Sequence, residues 1–300
     1  TRIPVITQLA SEINHRLFTK LFEFLAPPEL LENSCLIVMG SEGRKEQILH
    51  TDQDNALIVR DGFDLEHAHL VGEAFSEALI DFGYPPCPGQ MMVNNPKWCK
   101  HQSEYKRDIM RWVSQPSEQG MLDLSAFIDA AKVCGDKQLL VETKDYLFDY
   151  SASNDKFYSL FARPIDSFDI PLGLFHRLIV EHGEHEGEID IKKGGIFPIV
   201  HGVRSLCLEK GIFKTNTTKR LHALANIGVL DKQFTHDLVD AFEFMLGLKL
   251  RAGLNSSDGS SNFVNASDLH KLEKDLLKDS LALVKELKSL IHHHFKLERF

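Results

Sequence analysis

Met39-Gly40-Ser41-Glu42-Gly43-Arg44, followed shortly by Thr51-Asp52-Gln53-Asp54-Asn55 and the apolar run Ala56-Leu57-Ile58-Val59, is the stretch whose reading decides the fold. Residues 35–39 form an apolar run of strand length, and Gly40-Ser41 then lets the backbone turn sharply into a helix carrying Arg44, Glu46 and Gln47. Free amides at a helix start, with the positive end of the helix dipole behind them, attract phosphate without a basic side chain in the loop. Ser41 adds a hydroxyl. Asp52 and Asp54 stand two residues apart where the next strand begins, so their carboxylates leave the same face. Two acids held side by side repel unless a cation lies between them. Magnesium suits the position, because it takes hard oxygen ligands and binds through a few carboxylates plus substrate phosphates. The residues therefore read as a seat for a nucleoside triphosphate, with metal at the neighbouring strand.

Composition narrows the classes. The chain has 300 residues, 43% of them apolar, which suits two domains with real cores. A formal charge of −9 argues against a long electrostatic footprint on nucleic acid. Five cysteines without Cys-x-x-Cys spacing fit a reduced, cytoplasmic protein. No apolar run is long enough to span a bilayer and nothing at the start reads as a signal peptide, so neither a membrane nor nucleic acid is an expected partner. The chain opens on Thr1 rather than methionine, and a piece of a longer protein is expected.

Along the chain, Ile6, Leu9, Ile13, Leu17, Leu21 and Leu25 recur at near-helical spacing and predict a packing helix over 3–25, ending before Pro27-Pro28. Residues 65–82 predict an amphipathic helix. The proline-rich 84–89 cannot be helix and leads into 90–93, a predicted short strand, after which a helix starting near Asn95 presents Ile109, Trp112 and Val113. Cys87 reads as structural, with no base near it in sequence. Residues 121–130 read as a strand whose even spacing puts Asp123 and Asp129 on one face, so periodicity leaves open which of them joins Asp52 and Asp54. A helix over 136–150 closes the first domain, and the polar 151–155 marks the boundary. Long periodic runs at 197–209, 217–224, 231–251 and 267–300 make a helical bundle, with Ser267 as the start of the last helix. Lys192-Lys193 beside Gly194-Gly195 suits a triphosphate or is a solvated basic turn with equal weight, and Arg204 follows on the next helix. The histidines at His182, His185 and 292–294 read as surface.

The run GSEGRKEQILHTDQDNALIV at 40–59 resembles the nucleotidyltransferases of the DNA polymerase β superfamily. More narrowly it resembles the nucleotidyltransferase domain found downstream of cyclic-nucleotide-binding and CBS domains in bacterial signalling proteins, a group similar to PII-protein uridylyltransferases and glutamine synthetase adenylyltransferases. Cys87, Pro88, Gly89, Met92, Asn95, Pro96 and Trp98 match that family's next motif, although Cys99 stands where an arginine is common. Phe127-Ile128-Asp129-Ala130 with Gly135-Asp136 matches its third acidic strand, with Ala131-Lys132 in place of the usual arginine. Pro171 to Phe175, Ile189 to Ile196 and Val203-Arg204 resemble the substrate-binding domain that follows. The resemblance implies an α+β fold: a linker helix at 1–30, a polymerase-β-type domain with a small mixed sheet at 31–152, and an all-α bundle at 153–300. It implies Asp52, Asp54 and Asp129 holding two magnesium ions, manganese being the alternative, and Gly40, Ser41, Arg44, Lys192, Lys193 and Arg204 binding the nucleotide. The expected reaction moves a nucleoside monophosphate to an acceptor hydroxyl, on a signalling protein by analogy, under upstream regulatory domains. The rivals are a non-catalytic nucleotide sensor and a small-molecule nucleotidyltransferase.

Overall fold

A computed structural model describes residues 2–48, 52–256 and 262–297, so Thr51, residues 257–261 of the predicted loop and the last residues of the predicted terminal helix lie outside the described residues. The chain divides into two compact units, Val5–Ala152 and a second made of Thr1–Pro4 with Ser153–Phe300.

In the first unit, helices α1 (Ile3–Leu25) and α2 (Pro28–Glu32) lead into strand β1 (Ser34–Val38), the one-turn helix α3 (Gly40–Gly43) and strand β2 (Asn55–Val59). Helix α4 (Leu65–Asp81), strand β3 (Cys99–His101), helices α5 (Gln102–Ser114) and α6 (Glu118–Ile128), strand β4 (Ala131–Gly135) and helix α7 (Lys137–Ser151) follow. The sheet order is β3-β2-β1-β4; β1 is antiparallel to both its neighbours and β2 runs parallel to β3, which makes the sheet mixed. Both central strands are buried throughout. Leu36 faces Leu57 across the β1–β2 pair and packs with Val38 and Val59 under Phe18 and Phe22 of α1 and Phe75 and Leu79 of α4. Cys35, Ile37, Ala56 and Ile58 alternate to the opposite face, where α5 and α7 pack. Each fully buried phenylalanine contributes roughly 1.5–3 kcal/mol. Edge-to-face pairs of Phe22 with Phe75 and Phe18 with Tyr84 add geometric specificity.

Helix α1 departs from the reading of its face. Of the six residues whose spacing predicts a packing helix, Leu17, Leu21 and Leu25 pack against the core, whereas Leu9 and Ile13 are 60% and 56% exposed. The buried stripe is Thr7, Ser11, Asn14, Phe18 and Phe22. Residues 90–93 are loop, with strand β3 forming later at Cys99. The segment read as a strand at 121–130 is the helix α6: Ser117 caps it by accepting from the Gly120 amide, and Met121, Leu124, Phe127 and Ile128 are buried at helical spacing.

The second unit holds helices α8 (Asp155–Ala162), α9 (Phe197–Glu209), α10 (Thr217–Asn226), α11 (Lys232–Asn255) and α12 (Lys271–Phe295), with a small antiparallel pair of β5 (Glu188–Asp190) and β6 (Phe263–Asn265). Ile199 and Val203 of α9, Phe242 and Met245 of α11, and Leu281 and Val284 of α12 are buried. The start of α12 is His270 rather than Ser267, closed by a reciprocal capping box with Glu273. His292 and His294 bond Asp166 and Glu209, and His185 bonds Glu188, so these histidines pair with acids of their own unit. No described helix is long and apolar enough to cross a membrane.

Candidate functional site

The antiparallel pairing of β1 and β2 extends one step past the strands, where the Met39 amide donates to the Asp54 carbonyl at 2.8 Å. That step brings Asp54 beneath the bend. Gly40 has φ +55°, and a Cβ there would stand 2.4 Å from Asp54 Oδ2, so only glycine lets the carboxylate lie against this backbone. The first intrahelical donor of α3 is Gly43, to Met39 at 2.9 Å. The amides of Gly40, Ser41 and Glu42 precede it, as the opening amides of any helix do. Since α3 ends at Gly43 and Lys45 has φ +59°, the seat consists of amides with little dipole behind them, and Glu46 and Gln47 sit on irregular backbone. Gly43 packs closely too: a Cβ would meet the Asp129 carbonyl at 2.2 Å and that of Val38 at 2.8 Å.

Alternation along 52–55 separates two jobs. Asp52 and Asp54 are half-buried and face the bend side, while Gln53 and Asn55 are buried. Gln53 Nε2 donates to the carbonyls of Ser76 and Tyr84, both at 3.1 Å, and its amide donates to Pro85 at 3.0 Å. The Asn55 amide donates to Met91 at 3.0 Å, and Asn55 Oδ1 accepts from the Val93 amide at 2.8 Å. The loop 84–93 is thereby tied on both sides of Asp54, and this sets Cys87 beside the acids. Donor atoms of Asp52, Asp54 and Cys87 all lie within 4.8 Å of one another. Burial, with the charge of Asp54 second, pushes the Cys87 thiol up to about 11.

Glu42 is buried next to the bend. Asn14 Nδ2 of α1 donates to its Oε2 at 3.0 Å, and Tyr84 Oη donates to Asn14 Oδ1 at 2.6 Å. Burial raises its carboxyl from 4.5 to about 7, against the opposing effects of Asn14, Ser11 and Lys45. Below that value the protonated carboxyl does not repel a phosphate group, and above it the charged form does.

Asp129 departs from its expected place. It is not on a strand; it follows α6 as the C-cap residue and is fully buried. Its Oδ2 accepts from Arg44 Nη1 at 2.7 Å, and Arg44 Nε donates to Glu46 at 2.7 Å. Burial works against the Arg44 charge but is outweighed by Glu46 and Asp129, which keep the guanidinium firmly protonated. The physical reason is local: a buried carboxylate at a helix end needs a cation, and Arg44 leaves α3 within reach of it. Lys144 of α7 fixes the same turn by donating to the carbonyls of Ile128 at 2.9 Å and Ala130 at 2.7 Å. Asp123, the other acid of that segment, pairs with Lys97. Cys99, where an arginine was the family expectation, is buried in β3 with its thiol pushed up to about 12 by burial.

The remaining expected nucleotide contacts lie in the second unit. Lys192 and Lys193 are exposed at the start of a π-helical turn, Lys192–Ile196, that runs into α9. Lys193 Nζ is 3.5 Å from Asp190 Oδ2 and 5.6 Å from the centre of the Phe168 ring. Arg204, read as facing a cleft, is buried within α9, with Nη1 3.3 Å from His201 Nδ1.

The donor set fits a divalent cation at Asp52 and Asp54, two half-buried carboxylates whose oxygens lie close together on the bend side. Two participants escaped the sequence reading. Cys87 gave no local signal because hydrogen bonds from Gln53 and Asn55 place it. The Glu42–Asn14–Tyr84 chain joins segments far apart in sequence.

With this geometry established, the family described as "Putative nucleotidyltransferase DUF294" matches residues 1–119, and that described as "Putative nucleotidyltransferase substrate binding domain" matches residues 155–295. No individual curated protein matches the chain. The chain belongs to this family of nucleotidyltransferases and carries the family's substrate-binding domain.

Proposed function

We propose that the protein transfers a nucleoside monophosphate from a nucleoside triphosphate to a hydroxyl on a regulatory protein, in the manner of the PII-type uridylyl- and adenylyltransferases, and that it does so with magnesium. The observation that carries this reading is the packing of the Asp54 carboxylate against Gly40, which puts an acid directly at the opening amides of α3. Those amides and the Ser41 hydroxyl hold the terminal phosphates, leaving the α-phosphorus toward Asp52 and Asp54. The acceptor hydroxyl loses its proton to solvent as its oxygen bonds to that phosphorus and the bond to the bridging oxygen breaks, so that pyrophosphate leaves. Asp52 and Asp54 would hold a divalent cation, which would supply charge neutralisation to the phosphates and to the attacking oxygen. The protein's part is positioning: Gln53 and Asn55 lock the acids' strand, and the Arg44–Asp129 pair braces α3 from behind. Burial raises the Glu42 carboxyl and so lessens the negative charge it presents beside the seat. We assign the activity to the cytoplasm, a reading that cysteines outside any disulfide support.

One observation favours a second reading. Asp129 is engaged by Arg44, so the third carboxylate of a two-ion centre is not beside the other two, and a nucleotide sensor without transfer needs only the seat. The experiment separates them. Each labelled triphosphate is incubated with the full chain, magnesium and cell extract; transfer of label to a protein that disappears with Asp52→Ala supports the enzyme. Saturable triphosphate binding with no label transfer under any of these conditions selects the sensor.

A further inference from the structure

We propose that Cys87 is a third protein ligand at the Asp52–Asp54 cation site, its sulfur completing a mixed oxygen–sulfur set that takes a thiophilic divalent cation such as zinc or cobalt. The inference rests on the proposed function only in taking Asp52 and Asp54 as cation ligands.

Three observations carry it. One ligand atom from each of Asp52, Asp54 and Cys87 already lies within 4.8 Å of the other two. Ligand bonds of about 2.0–2.3 Å around a tetrahedral ion require donors roughly 3.5 Å apart, so each side chain has to move by less than about 1 Å. The loop bearing Cys87 is built rather than draped. It is held to Gln53 by the Pro85 and Tyr84 carbonyls, to Asn55 by Met91 and Val93, and internally by the Cys87 amide, which donates to Met92 Sδ at 3.2 Å. These bonds flank Asp54 on both sides, so the sulfur and the carboxylate are fixed by the same framework. Finally, the sulfur is distinct from its fellows: Cys35, Cys99, Cys134 and Cys207 are also buried, but none joins two acids in such a group among the described residues.

The donor chemistry decides which ions respond. Magnesium takes oxygen ligands and is indifferent to sulfur, whereas zinc, cobalt and cadmium gain from a thiolate. Binding converts Cys87–SH to a metal-bound thiolate and releases one proton to solvent, so uptake of these ions is accompanied by acidification. The sulfur gives thiophilic ions a tighter grip on the site than magnesium has, and a cation so held occupies the carboxylates that the transfer reaction needs.

The test uses the full chain stripped of metal. One equivalent of cobalt is expected to give a sulfur-to-cobalt charge-transfer band in the near ultraviolet. Cys87→Ser should remove the band and weaken cobalt binding roughly 10–100-fold, with circular dichroism confirming the fold. Cadmium-113 resonance of the unmodified chain is the second measurement, free of any folding defect in the variant. A downfield signal of one-sulfur coordination, lost in Asp54→Asn, supports the assignment. A band unchanged in Cys87→Ser, or a cadmium signal in the all-oxygen range, overturns it. Label transfer with magnesium on the same preparation separates the two readings: a Cys87-dependent band without transfer leaves the sulfur ligand standing and sinks the enzyme, and transfer without the band does the reverse.

Discussion

Replacing Glu42 by glutamine should make the first unit more stable at neutral and alkaline pH, and the size of the gain follows from the burial of that side chain. The Glu42 carboxyl is raised from 4.5 to about 7 in the folded chain. Below pH 4.5 both folded and unfolded chains hold the proton, and the group contributes no pH dependence. Between the two values the unfolded chain releases its proton first, so stability falls as pH rises, and the loss is complete above about pH 7. The shift corresponds to roughly 3 kcal/mol. Glutamine keeps the shape and can still pair with Asn14 after an amide flip, but carries no charge to bury. Urea unfolding followed by tryptophan fluorescence is the assay, since Trp98 and Trp112 are the chain's two tryptophans and both lie in the Val5–Ala152 unit. Near pH 4 the variant and the parent should have similar midpoints. At pH 8 the variant's midpoint should be higher by about 1–2 M. A difference between them that stays constant from pH 4 to 8, or a variant less stable at pH 8, refutes the account of Glu42 as a buried, costly carboxylate.

Removing the cation of the buried Glu46–Arg44–Asp129 group by Arg44→Met should cost about 3–5 kcal/mol in denaturant unfolding, because two acids lose their shared partner. A loss below 1 kcal/mol would mean that water reaches the pair. Gly43→Ala should destabilise the unit although the same change in an open helix stabilises by up to about 1 kcal/mol, since the new Cβ meets the Asp129 carbonyl at 2.2 Å; a raised melting temperature would contradict this. Gln53→Leu withdraws donors from the Ser76 and Tyr84 carbonyls at a cost of about 1–3 kcal/mol, and by loosening the loop it should also reduce the cobalt charge-transfer band without touching a ligand.

The bend and the aspartate pair were legible because their geometry is local: one glycine, one strand register and a two-residue spacing place them. The long helices of the second unit were legible for the same reason, and α9 spans Phe197–Glu209 as its periodicity indicates. Asp129 was misplaced because Phe127-Ile128 reads equally as strand or helix in a short window. Ser117 with Glu118 after it was the signal that could have chosen helix, being a cap followed by an acidic first turn. Helix α1 defeated the reading differently. Its apolar residues repeat correctly, yet the buried face is chosen by Glu42 and Tyr84, partners that no window around α1 contains. Cys87 belongs to the same class, since its position follows from side-chain bonds of Gln53 and Asn55.

The polar stripe of α1 has a mechanical consequence. Greasy contacts tolerate sliding, because one methyl group substitutes for another along a groove; a hydrogen bond from Asn14 to Glu42 has one address. Rotation or translation of α1 by a single residue would therefore break the Asn14 link outright and leave the Glu42 carboxyl to find water. The helix is thereby pinned at one setting, and the Gly40-Ser41 bend beside Glu42 is what it pins.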